Sequence, residues 1–83
     1  MKYLVFESQV NPTQGATFAM TNILRQCNGI FNTYTDALMS VESSDQITFR
    51  LDEVKSAMDG HLIVFNGLDM DSRPWFAGIL VLA

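Results

Sequence analysis

The stretch ALMSVESSDQITFRLDEVKSAMDG, residues 37–60, decides how this chain is read. Its middle holds Glu42-Ser43-Ser44-Asp45, a polar run of turn chemistry between the segments 37–41 and 46–51. In the second segment Ile47, Phe49 and Leu51 alternate with Gln46, Thr48 and Arg50, which predicts a strand with one buried and one wet face. The two segments are read as a hairpin, and a helix over 33–41 capped by Thr33 is the competing reading. Asp52 then caps a short helix running to Met58, with Gly60 as its stop.

Toward the N-terminus, Lys2–Ser8 is rich in Tyr, Leu, Val and Phe and reads as a strand. Asn11-Pro12 supplies a helix start, an Asn cap with proline at the first helical position. Ala16, Met20, Ile23, Leu24 and Cys27 follow at i, i+4, i+7, i+8 and i+11, one helical stripe that Asn28-Gly29 ends. Residues 30–36 favour neither state. Toward the C-terminus, residues 61–65 read as a strand, Asn66-Gly67 as a turn and 68–74 as a polar loop. The chain finishes in an apolar strand over 75–82, where Gly78 signals close packing or a bulge. The order predicts a single α+β domain over 1–83. It is a ferredoxin-like β-α-β-β-α-β sheet with an extra C-terminal strand and both helices on one face.

That architecture leaves a mismatch. Three strands are apolar on both sides: Leu4 and Phe6 against Tyr3 and Val5, Ile63 and Phe65 against Leu62 and Val64, Ile79 and Val81 against Leu80 and Leu82. Such strands lie in sheets covered on both faces, and two short helices cover only one. Association is the expected remedy, with a two-fold homodimer as its commonest form.

Composition narrows the function classes. The 83 residues are 48% hydrophobic and 17% charged, too apolar for disorder. No apolar run approaches the ~20 residues of a membrane span, and the N-terminus lacks a signal-like pattern. The net charge of −4 is concentrated in residues 36–71, where eight acids face Arg50 and Lys55 alone. Such a chain repels a phosphate backbone, which argues against nucleic-acid binding, whereas its acidic middle favours a basic protein surface. One cysteine, Cys27, leaves no disulfide framework or cysteine zinc site and suits a reducing cytoplasm.

No P-loop, GxGxxG, HExxH or Ser-His-Asp order occurs, so neither a cofactor nor a catalytic residue is assigned. Asp69 and Asp71 form a D-x-D pair able to meet a hard cation, although an acidic turn explains them as well. His61 has no partner that spacing would supply. The segment Asp71-Ser72-Arg73-Pro74-Trp75-Phe76 is the best recognition candidate, since Arg and Trp dominate binding hot spots and proline stiffens their presentation. Trp75 reads equally as a core anchor, with Arg73 then pairing with a neighbouring aspartate. Phe18 lies on the predicted first helix opposite its apolar stripe, a second exposed-aromatic candidate.

The expectation is therefore a non-enzymatic protein that binds and regulates or inhibits a larger protein. Its size and type match small accessory proteins, those of phages and mobile elements included. The alternatives are a homodimeric small-ligand domain, or a metal-dependent enzyme using Asp69 and Asp71.

Overall fold

The computed structural model describes residues 1–9, 12 and 27–82. Five strands form one sheet: β1 (Lys2–Ser8), β2 (Cys27–Phe31), β3 (Ile47–Ala57), β4 (Leu62–Asp69) and β5 (Pro74–Leu82). Their order is β2-β1-β5-β4-β3, and every neighbouring pair is antiparallel. The α-helix among the described residues is α1 (Tyr34–Glu42).

The ferredoxin-like expectation is overturned. A split β-α-β unit requires a strand between the first two, but β2 lies directly against β1, with Leu4 opposite Ile30. Among the described residues the molecule is mostly sheet with one short helix, rather than an α+β sheet carrying two. The first predicted helix, Phe18 included, lies outside the described residues, except that Pro12 stands in a turn and that Cys27 and the supposed stop at Asn28-Gly29 stand inside β2.

Residues 37–41 are helix, so the predicted hairpin is wrong and the competing reading holds there. Tyr34, Ala37, Leu38 and Val41 repeat at i, i+3, i+4 and i+7, and Ala37 and Val41 are fully buried. Thr33 caps the helix: its Oγ1 accepts the Asp36 amide at 3.2 Å, a bond type worth about 1 kcal/mol. The helix carries the chain from edge strand β2 to the opposite edge β3, across one face of the sheet.

The predicted helix over 52–58 is also wrong, because β3 runs on through Ala57. Local preference for helix is worth tenths of a kcal/mol per residue. The competing demand comes from β4, whose Leu62, Val64 and Phe65 are buried. Its backbone groups need partners on both sides, and an unpaired buried group costs about 1–3 kcal/mol. Lys55, Ser56 and Ala57 meet that demand opposite Val64, Ile63 and Leu62. Asn66-Gly67 is not a turn either, but lies inside β4. Gly67 is required there because a Cβ would stand 2.5 Å from the ring of Phe49, its cross-strand partner.

Both faces of the sheet hold a buried apolar cluster. Under α1 lie Val5, Phe49, Phe65, Ala77 and Ile79 with Ala37 and Val41. On the opposite face lie Leu4, Phe6, Leu62, Val64 and Leu80, each at most 3% exposed. That second cluster is buried within one chain, so it needs no second copy to cover it.

The β3–β4 connection is strained. Met58 (φ 52°), Asp59 (φ 56°) and Gly60 (φ 87°) are all left-handed, a conformation costing a non-glycine residue about 1–2 kcal/mol. Gly60→Ala should therefore destabilise the protein by about 1 kcal/mol although no atom lies within 4 Å of the new methyl. Met58→Asn, better suited to this region, should stabilise it by a few tenths of a kcal/mol. Urea titrations of the two variants, moving in opposite directions, check both.

Candidate functional site

In the lower half of the β3–β4 pair the register breaks. Phe49 faces Gly67 and Val54 faces Phe65, so four residues of β3, Arg50 to Glu53, stand opposite Asn66 alone. Three extra residues make a large special bulge, the device by which sheets re-aim side chains near sites. Beside it, on the face opposite α1, the sheet opens a groove of about 520 Å³.

Strand pairing places its walls. Thr48, Leu68 and Pro74 align across three strands, and Asn66 and Phe76 align across two on the next rung of that face. Phe76 is half-buried against the Leu4–Leu80 cluster and forms an apolar floor continuous with the core. Leu68 stands 53% exposed beside it. Arg50 and Lys55 enter from the two sides of the bulge, with Glu53 between them. Arg50 reaches Glu53 at 3.4 Å and Asp52 at 3.7 Å, all three side chains more than half exposed. Surface pairs of this kind contribute at most ~1 kcal/mol and exchange partners readily. Among the described residues Lys55 has no ion pair.

The structure uses the sequence candidates differently. Asp69 is a structural residue of the β4–β5 turn. Its Oδ1 accepts the amides of Asp71 and Arg73, both at 2.9 Å, and its Oδ2 accepts the Trp75 indole N–H at 3.0 Å. With both oxygens occupied, Asp69 is poorly placed to join Asp71 in holding a cation. Asp71 instead meets the Arg73 guanidinium at 3.7 Å. Trp75 packs against the α1-side cluster while bordering the groove. His61 directs Nδ1 to the Met58 carbonyl at 2.9 Å and ties down the strained turn. Cys27 is half-buried on β2, its Sγ 3.6 Å from the Gly29 carbonyl. Thus Asp69, Asp71, Arg73 and Trp75 come together as a turn, and Phe18 lies outside the described residues.

The turn's hydrogen bonds have a titration consequence. The Arg73 amide foremost, with the Trp75 and Asp71 donors and the Arg73 charge, holds the Asp69 carboxyl below the usual carboxylate value against partial desolvation acting the other way. A depressed folded pKa contributes stability above the unfolded value of about 3.9, lost as pH falls through the folded value. Asp69→Asn should flatten the fall in stability below about pH 4, as read by urea melts from pH 2.5 to 5 with Trp75 fluorescence as probe. An unchanged acid limb would assign that fall to other carboxylates.

Thr48, Lys55, Asn66 and Leu68 escaped the sequence reading as site residues. The signal was masked because 52–58 resembles a helix and Asn66-Gly67 a turn, which separates residues that the sheet aligns. No helix among the described residues is long and apolar enough to cross a membrane. No protein-family model, curated protein or solved structure matches the chain.

Proposed function

We propose that this chain is a non-enzymatic interaction module that binds another protein through the groove beside the β3 bulge. The observation that carries the reading is the groove's make-up: a floor of Phe76 and Leu68 continuous with the core, flanked by the cations Arg50 and Lys55. Aromatic and arginine side chains around a rigid apolar centre are the usual composition of a binding hot spot. Strands hold the floor, so little ordering entropy is lost on binding.

A small-ligand domain is the second reading, since the volume falls within the usual ~300–1,000 Å³ of ligand pockets. The groove is only about half enclosed, however, whereas ligand pockets enclose most of their guest. A different protein is the preferred partner over a second copy, because the Leu4–Leu80 cluster that a second copy was expected to cover is already buried. Half-buried, unpaired Cys27 suits a reducing cytoplasm.

Capture from native cells tests the reading with a variant that fills the groove. Thr48 is exposed on its wall, so Thr48→Tyr occupies the space without touching the core. A protein retained by the wild type and lost by a folded Thr48→Tyr variant supports the proposal. The same proteins on both would remove the groove from the function.

A further inference from the structure

The groove's charge is opposite in sign to the molecule around it, and we infer that its occupant is a short acidic segment of the partner protein, carrying carboxylates beside an apolar side chain. This inference rests on the groove being the binding site. The chain has five basic residues in all and a net charge of −4. Within residues 36–71 the two bases, Arg50 and Lys55, both line this groove. Glu53 is the one acid lining it; Arg50 holds it at 3.4 Å and also reaches Asp52 at 3.7 Å, whereas Lys55 has no ion pair among the described residues.

Geometry sets what a carboxylate would meet. Lys55 faces Val64 across the β3–β4 pair and so projects on the groove side, and Asn66 and Thr48 add polar side chains on the same wall. Phe76, Leu68 and Pro74 offer an apolar surface beside them. A segment alternating acid and apolar side chains satisfies both halves at once. A basic segment would place like charge against Lys55, and an uncharged one would gain no attraction from its ammonium. The remaining acidic surface repels the same segment elsewhere, so its charge selects the docking position as well as strengthening it.

The test uses the full chain and two defined probes, acetyl-Glu-Glu-Leu-Glu-Phe-amide and its counterpart with lysine in place of each glutamate. Binding is followed by emission of Trp75, the chain's only tryptophan, and by backbone amide shifts. The acidic peptide should bind more tightly than the basic one, shift Lys55, Leu68 and Phe76, and weaken as salt rises. Lys55→Glu should lower its affinity roughly five- to tenfold, since an exposed attraction is replaced by a repulsion of similar size. Arg50→Glu should cost less, because Arg50 already shares its charge with Asp52 and Glu53. Equal binding of the two peptides, shifts away from the groove, or indifference to Lys55→Glu would overturn the inference. So would free glutarate matching the peptide's midpoint, which would make the groove a small-anion site. A partner lost with Thr48→Tyr yet kept with Lys55→Glu would leave the groove's function standing and remove the acidic segment alone.

Discussion

Gly78→Val is expected to abolish the folded state at 25 °C. Gly78 pairs with Phe6 on one side and Val64 on the other, in the middle of the sheet. A Cβ at this position would stand 2.2 Å from Phe6 Cζ and 2.4 Å from Cε1, well inside contact distance. The Phe6 ring cannot move aside, being fully buried among Leu4, Leu62, Val64 and Leu80. Overpacking a closed core typically costs 1–3 kcal/mol, and an overlap this deep on central strands exceeds that range. A domain of 83 residues has about 4–12 kcal/mol of stability in all. Gly78→Ala should be severely destabilised and Gly78→Val unfolded. The mechanism has its own check, because the ring is the obstacle. In a Phe6→Leu background the alanine substitution should cost at least ~1 kcal/mol less than in the wild type, a coupling that a double-mutant cycle measures directly. Additive effects would place the strain elsewhere.

Phe65→Ala should cost about 3–5 kcal/mol, the usual range for emptying a buried aromatic site. Phe65 is fully buried on β4, and the α1-side cluster it belongs to includes two alanines, Ala37 on the helix and Ala77 directly across on β5. Small residues there leave room for one large ring, and its removal leaves a cavity that packed neighbours close only in part. Chemical denaturation should show a lower midpoint with an unchanged slope, because the same surface is exposed on unfolding. A loss below ~1.5 kcal/mol would mean that α1 settles onto the sheet and closes the void.

The strands that were legible in the sequence are those whose residues decide their own state. β1 is read with its observed limits, and β5 to within one residue, because long runs of Val, Leu, Ile and Phe allow little else. Asp52 to Ser56 were not, since this edge segment is exposed on both faces and carries no alternation to read. Its strand state is imposed by β4, a partner distant in sequence. Residues 34–41 had a local signal, the helical spacing of Tyr34, Ala37, Leu38 and Val41 together with the Thr33 cap, in competition with the turn chemistry of 42–45. Gly67 illustrates a different limit. An Asn-Gly pair marks a turn only when its flanking strands pair with each other, and here the glycine answers the shape of Phe49. The candidate groove inherited each of these errors, because its walls come from three strands, two of which were broken at the residues that line it.

The bulge of β3 has a consequence for how these molecules behave in a crowd. A straight border strand of eleven residues would offer a long row of free amides and carbonyls to any neighbouring chain, the starting template of a fibril. Here that row is interrupted after Phe49 and resumes only at Val54, and Arg50, Asp52, Glu53 and Lys55 stud the interval and its margin. A second sheet approaching this border meets two short segments out of step with one another, fringed with charge. The same irregularity that shapes the groove thus makes this border a poor template for a further strand.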